Sequence, residues 1–472
     1  MGVCGVAMAQ VAAWLKSRGF KVTGSDQGVY PPMSGFLHRQ GIEVLTPYRA
    51  KHIQSVDTVV VGNAVSRGNP EVETALNKRL PLISLPELIH TEILSDKLPI
   101  VVAGTHGKTT ITAALAHILQ TAGFSPGYLI GGLPIDWDSG FAVGDGSWFV
   151  IEGDEYDSAF FDKRPKFLHY QPQMVLLNNV EFDHGDIYNT IDEINLQFRR
   201  LIQLIPGNGG LIYNADEPNL EQFAALDLCP TLRFGRNAEA EIRSEFLAQD
   251  AVGMTFQIRF STGKTVLCRS PLWGEHQLSN LVGAAAAAEY IGVPISQIAA
   301  AIESFKGVQR RLELKYSDGK RWLYEDFAHH PTAIQKVLSS IRLRHPHLPV
   351  FVALEPRSNT MVRRFHQNRL GKVLELADRV VFGALHRKET ILEPERLDVH
   401  KIIEHLQSCG KEAIYQEDNH EVLHSLLHAL PDEVVIVIMS NGSFDGLTNK
   451  VQAFLDNMTF NSIVADSRTF IG

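Results

Sequence analysis

At 472 residues the chain is too long for a single hydrophobic core, so two to four domains are expected. Its 44% hydrophobic and 21% charged residues are those of a globular protein, and a net charge of −9 without a long basic run argues against a nucleic-acid-binding surface. No apolar run reaches about 18 residues, which argues against a membrane-spanning helix, and four scattered cysteines without CxxC spacing suit a reduced, cytoplasmic setting.

The chain opens on Gly2-Val-Cys-Gly5, a glycine turn without the basic stretch of a signal peptide. A helix (Gln10 to Arg18) and a strand (Phe20 to Gly24) follow, then Ser25-Asp26. A Rossmann-like unit places a strand before such a turn, and the sequence shows none. The turn and the acidic strand end together point to nucleotide recognition, with a plain βα turn as the alternative. Asp57 to Val61 and Pro81 to Ser84 are further strands, and Ser95 to Pro99 reads as a linker.

Next comes Leu98 to Ala103, an apolar run read as a buried parallel strand. Gly104-Thr105-His106-Gly107-Lys108-Thr109-Thr110 follows it, then a helical pattern from Ile111 to Ala122. This is the setting of a phosphate-binding loop: backbone N–H groups and a helix N-terminus face the anion, Lys108 adds a full charge, and Thr109 or Thr110 can hold a magnesium ion. The common G-x-x-x-x-G-K-[ST] spacing wants glycine where Val102 stands, which argues against ordinary GTPases and for a distinct ATP-using family.

Trp148 to Ile151 and Met174 to Leu177 are apolar strands with polar ends. Residues 209–275 suggest a small antiparallel sheet beside the main one, with a hairpin at Ser261 to Lys264, and an alanine-rich helix runs from His276 to Ile291. A third αβ region follows Arg310-Arg311, with strands at Arg321 to Tyr324, Pro349 to Leu354, Arg379 to Phe382 and Glu433 to Met439. The tail beyond Phe460 reads as loose.

Ligands bind at strand ends of open α/β sheets. Glu152 and His184 stand at two such ends near the loop. A carboxylate and an imidazole can share a divalent ion, so Thr109, Glu152 and His184 form a candidate two-metal clamp on a transferring phosphoryl group. His276 and Asn280, four apart on one helix face, can reach a purine; a cap and a buried hydrogen bond are the equal alternatives. Asp326 can take a ribose hydroxyl, and Arg311 can bring a cation onto phosphates or lie solvated.

Gly104 to Thr110, Asn179-Val-Glu-Phe-Asp-His184, Gly274 to Asn280, Gln309-Arg-Arg-Leu-Glu313 and Asp326-Phe-Ala-His-His-Pro-Thr332 resemble, in order, the motifs of the Mur ligases. These are ATP-dependent amide ligases of peptidoglycan synthesis, and the resemblance runs from Gly2 to Asp445. It implies three domains: a Rossmann-like domain over residues 1–96, a P-loop ATPase-type domain with a parallel sheet and a small antiparallel one over 97–309, and a Rossmann-like α/β domain over 310–472. The first would bind a UDP-sugar through Gly2, Gly5, Ser25, Asp26, Asn63, Ala64 and Ser66. The second would bind ATP and Mg2+, with Lys108, Glu152 and His184 catalytic. The third would bring the amine and close over ATP through Arg311, Asp326 and His329.

Tyr30 to Ser34, Glu155 to Arg164 with Phe167 to Tyr170, and Leu354 to Met361 resemble those members that join UDP-N-acetylmuramate to the recycled tripeptide L-alanyl-γ-D-glutamyl-meso-diaminopimelate. The members that add L-alanine are the alternative; their segment between Glu152 and His184 is usually shorter. Arg357, Ser358 and Asn359 are the expected peptide anchors, with Arg363 and Arg364 as further cations. No lysine lies between Ile187 and Ile205, so the metal-bridging carbamate of some members is not expected. A P-loop kinase or a non-catalytic nucleotide sensor are the remaining readings.

Overall fold

The computed structural model describes residues 1–29, 33–250 and 252–469, with side chains through Met458, so Tyr30 to Pro32 lie outside it. Its centre is a ten-stranded sheet. Across it run Thr265–Ser270, Met254–Arg259, Ile242–Gln249, Thr231–Gly235, Gly210–Asn214, Met174–Leu177, Leu98–Ala103, Trp148–Gly153, Gly127–Leu129 and Phe141–Ala142. Leu98–Ala103 pairs in parallel with both neighbours, aligning Ala103 with Leu177 and with Gly153. Three strands therefore end side by side, and the Gly104 loop leaves from the middle one.

The small antiparallel sheet expected as a separate unit is part of this sheet. Ile242–Gln249 pairs in parallel with Thr231–Gly235 over two positions, then antiparallel with Met254–Arg259. Burial alternates along the hairpin strands, with Met254, Phe256, Ile258 and Cys268 turned to the core and Leu267 on the face that meets water. The buried face continues the parallel sheet's core.

Two helices cover the site side of the sheet. Lys108–Thr121 begins at the phosphate loop and lies against Glu275–Ile291. Ala284 to Ala288 are fully buried, and small side chains let the two helices approach closely. The opposite face packs on Ile191–Ile202, whose Ile194, Phe198, Leu201 and Ile202 form its apolar stripe.

The third region is a six-stranded sheet in the order Glu313–Ser317, Arg321–Asp326, Val434–Met439, Val350–Leu354, Arg379–Phe382 and Glu412–Tyr415. Its edge strands Glu313–Ser317 and Glu412–Tyr415 are polar and half-exposed, which hid them from a hydrophobicity reading. Helix Leu447–Thr469 carries the backbone through the tail read as loose.

The first region holds two parallel strand pairs, Gly24–Ser25 with Val44–Leu45 and Val59–Val61 with Leu82–Ser84. The strand expected at Phe20 to Gly24 shrinks to its last residue plus Ser25, and the first helix is Val6–Ser17. Met1 and Gly2 lie between the pairs, where the sequence lacks a strand. The Met1 amino group donates to Val60 O at 2.8 Å, Gly62 N donates to Met1 O at 3.0 Å, and Gly2 N donates to Ser25 O at 2.8 Å.

Candidate active site

Gly104 and Gly107 both take positive φ, 128° and 86°. A side chain at Gly107 would press on Asn280 and stand 2.7 Å from Asn178 Nδ2. Gly107→Ala is therefore expected to lower the melting temperature by several degrees, from strain of about 1–3 kcal/mol. Gly123, at φ 81° with open space around it, is the control and should lose clearly less when changed to alanine. Equal losses would mean that the contact with Asn178 and Asn280 is without effect.

Asn178 and Asn179 hold the loop from the neighbouring strand end. His106 N donates to Asn179 Oδ1 at 2.7 Å, while both asparagine amides donate to His106 O. Lys108 begins the helix, and its ammonium turns back to Gly104 O at 2.6 Å and to Glu155 Oε2 at 2.9 Å. Burial works against this charge, but Glu155 and Asp154 hold the Lys108 pKa above its ordinary value.

Glu155 is the residue that sequence reasoning passed over. It is buried, and its other oxygen lies 2.8 Å from His184 Nε2. Burial opposes its ionisation, yet Lys108 and His184 hold its pKa below the usual carboxylate value. Burial likewise opposes a charged His184, and Glu155 overcomes it, so the imidazole pKa is raised. The structure thus pairs His184 with Glu155, where Glu152 was the expected companion: Glu155 lies past the strand end, drawn beneath Lys108. A run of four acids in six residues gave no signal to single it out.

Glu152 faces the other side of the loop. Its Oε2 accepts from Thr109 Oγ1 at 3.1 Å and its Oε1 from Gly131 N at 2.5 Å. Burial raises its pKa, against the pull of Gly131 N–H, Arg311 and Lys108. Thr109 Oγ1 also accepts from Arg311 Nη2 at 2.9 Å. Arg311 is thus an inward-facing cation, with its guanidinium 4.7 Å over the Phe327 ring. Asp326 accepts from Leu312 N and Ala328 N, each at 2.6 Å, and burial pushes its pKa up to about 6 against the pull of Arg311.

These groups open onto one cavity of about 910 Å³. Its walls include Thr105 to Thr110, Glu152, His184, His276, Asn280, Arg311, Asp326 and His329, and on the third-domain side Arg357, Ser358 and Asn359. Gly104 shapes the loop from behind. Burial pushes His276 down to about 3, so it is a neutral ring, 3.3 Å from Ser340 Oγ. Arg357 Nη1 donates to Glu355 at 3.1 Å, and Asn359 Nδ2 to Asp186 at 2.7 Å.

The residues expected to take a UDP-sugar gather elsewhere, in the first region. Cys4 N donates to Asp26 Oδ2 at 2.9 Å, joining the Gly2–Gly5 turn to the Ser25-Asp26 strand end. Asn63, Ala64 and Ser66 are exposed on the loop after Val59–Val61. Ser25 Oγ donates to the buried Glu71 at 2.5 Å, a support the sequence did not signal because Glu71 sits in a polar helix start.

Family models match the chain in three successive parts. The Mur ligase family catalytic domain matches residues 1–95, the Mur ligase middle domain 102–288, and the Mur ligase glutamate ligase domain 310–442. The chain is 37% identical over 458 residues to the UDP-N-acetylmuramate–L-alanyl-γ-D-glutamyl-meso-2,6-diaminoheptandioate ligase of Escherichia coli (strain K12), covering 96% of each. It is 30% identical over 447 residues to the UDP-N-acetylmuramate–L-alanine ligase of Lachnospira eligens, covering 94% of this chain and 95% of that one. The crystal structure of a murein peptide ligase from Psychrobacter arcticus 273-4 superposes with a TM-score of 0.74 at 33% identity, covering 96% of this chain and 97% of that one. With relatives of this similarity along almost its whole length, the chain belongs to the Mur ligase family.

Proposed function

We propose that this ligase uses ATP to join the carboxylate of UDP-N-acetylmuramate to the amine of L-alanyl-γ-D-glutamyl-meso-diaminopimelate, a reaction of peptidoglycan recycling. The observation that carries the reading is the single cavity in which Lys108, Glu152 and Arg311 meet Arg357, Ser358 and Asn359 of the third domain. Identity to the tripeptide-adding relative exceeds that to the L-alanine-adding one, 37% against 30%.

The chemistry runs in two steps. A carboxylate oxygen attacks the γ-phosphorus, the bond to the β–γ bridging oxygen breaks, and ADP leaves. The amine then attacks the acyl carbon, the phosphate leaves, and the amine gives up a proton. The protein's part is orientation and charge. The loop amides and Lys108 would cradle the phosphates, and Arg311 would approach them from the third domain. His276 and Asn280 would flank the base, with Asp326 and His329 beside the ribose. Mg2+ would supply charge neutralisation at the phosphates. Thr109 Oγ1 and Glu152 Oε2, 3.1 Å apart, are the hard oxygen donors it prefers, and His184 would join them only as the neutral imidazole. The UDP-sugar would lie on Gly2, Gly5, Ser25, Asp26, Asn63, Ala64 and Ser66. The four cysteines are unpaired, which suits a reducing cytoplasm, and no helix among the described residues is long and apolar enough to cross a membrane.

Acceptor competition tests the assignment. The tripeptide offers carboxylates that free L-alanine lacks, and charged hydrogen bonds contribute about 1.5–3 kcal/mol each. With UDP-N-acetylmuramate and ATP, kcat/KM for the tripeptide should exceed that for L-alanine by about 100-fold or more. A preference for L-alanine would place the chain with the L-alanine-adding members.

A further inference from the structure

A second group of ligand atoms lies at the phosphate loop, with His106 and His330 on the wall of the same cavity, and no step of the proposed reaction assigns a role to its side chains. His106 of the loop, Glu181 of the segment after Met174–Leu177, and His330 at the start of helix Pro331–Arg344 converge from two domains, their ligand atoms within 4.8 Å of one another. His106 Nε2 and His330 Nδ1 each stand 3.9 Å from Glu181 Oε2. Four-coordinate zinc with bonds near 2.1 Å sets its ligand atoms about 3.4 Å apart. Small side-chain rotations would close the difference.

Two features mark the group as more than an interdomain contact. His106 Nε2 is buried without a hydrogen-bond partner, and so is the Nε2 of His366, whose ring stands edge-on to His330 at 4.5 Å. Buried ring nitrogens are ordinarily paired. Burial also pushes His330 down to about 3, leaving the neutral imidazole that metals require. Burial opposes charge on Glu181, but His106 and Thr332 hold its pKa well below the carboxylate range. Asp183, Glu217, His329, His366 and Arg369 are the other charged or titratable groups facing the cluster.

We propose that His106, Glu181 and His330 form a binding site for Zn2+ or a similar transition-metal ion, tying the phosphate loop to the third domain. Two imidazoles and one carboxylate favour zinc over magnesium, which prefers oxygen donors. The ion would replace the bond from Thr332 Oγ1 to Glu181 and the 3.3 Å bond from Thr332 N to His330 Nδ1. The site stands independently of the ligase assignment, since binding can be read without turnover.

The test is a zinc titration of the full chain in excess Mg2+, followed calorimetrically, with Co2+ absorption as the spectroscopic probe. Glu375, His405 and Cys409 form the other three-donor group among the described residues, so the titration uses a Cys409→Ser background. One Zn2+ per chain should bind at micromolar concentration and raise the melting temperature. Glu181→Gln and His330→Asn should each weaken binding at least 10-fold and remove the tetrahedral Co2+ bands; the asparagine keeps a side chain able to cap the helix. Undiminished binding in both variants, or no binding in the Cys409→Ser background, would overturn the site.

Discussion

Replacing Lys108 with alanine is expected to lower ATP-dependent phosphate release by about 10³-fold or more, the scale on which a single cation acts in phosphoryl transfer. The ammonium is fixed between Gly104 O and Glu155 at the mouth of a helix N-terminus, so it is in place before a phosphate arrives. The same geometry gives the residue a structural role. Removing one partner of a buried ion pair costs about 3–5 kcal/mol, and Glu155 is 2% exposed. His184 remains on the other oxygen, so the loss should fall at the lower end. A Lys108→Ala, Glu155→Gln double variant separates the two effects. It should recover most of the melting temperature and none of the phosphate release. Activity that returned with stability would show that Lys108 acts only through folding.

What the sequence made legible follows from how each part is encoded. Leu98 to Ala103 and Met174 to Leu177 are uniformly apolar because both sheet faces are covered, and their observed limits are those expected. The continuity of the ten-stranded sheet was hidden because it depends on two residue pairs, Phe234 with Ile242 and Gly235 with Arg243. No local pattern reports a pairing of that kind. Thr231–Gly235 carries an arginine at its centre and escaped the hydrophobic count.

The site divides along similar lines. Lys108 and Thr109 stood out because strand, loop and helix order them within a few residues, and Glu152 because it ends an apolar strand of its own. Arg311 could not be told from a solvated arginine until the fold placed it against Thr109, 202 positions away in the chain. Glu155 and Glu71 were missed because their partners, Lys108, His184, Ser25 and His52, are distant in sequence. Buried ion pairs are made by tertiary structure, and a residue's own neighbours do not announce them.

Arg311→Met offers the strongest test of the contact between the second and third domains. Methionine keeps much of the apolar stem over Phe327 but loses the guanidinium. Transition-state charge would lose one preorganised donor, so kcat/KM for ATP should fall by about 10²–10³-fold. The pH dependence should change with it. Arg311 lies between Glu152 and Asp326 and lowers both their pKa values against burial. Without it both carboxyls rise further, and the acid limb of the rate profile should move toward neutral pH. Stability should follow the same sign. Asp326 is raised from 3.8 to about 6, so the folded protein favours its protonated form. The contribution is present below the unfolded value and is lost as pH rises through the folded one, roughly 3 kcal/mol over that window. In the variant the loss should deepen and extend to higher pH, visible as a steeper fall of melting temperature as pH rises from the unfolded carboxyl value through the further-raised folded one. Rate and melting profiles that superimpose on those of the parent would mean that Arg311 does not act on either carboxylate, leaving its hydrogen bond to Thr109 and its stacking on Phe327 as its contacts there.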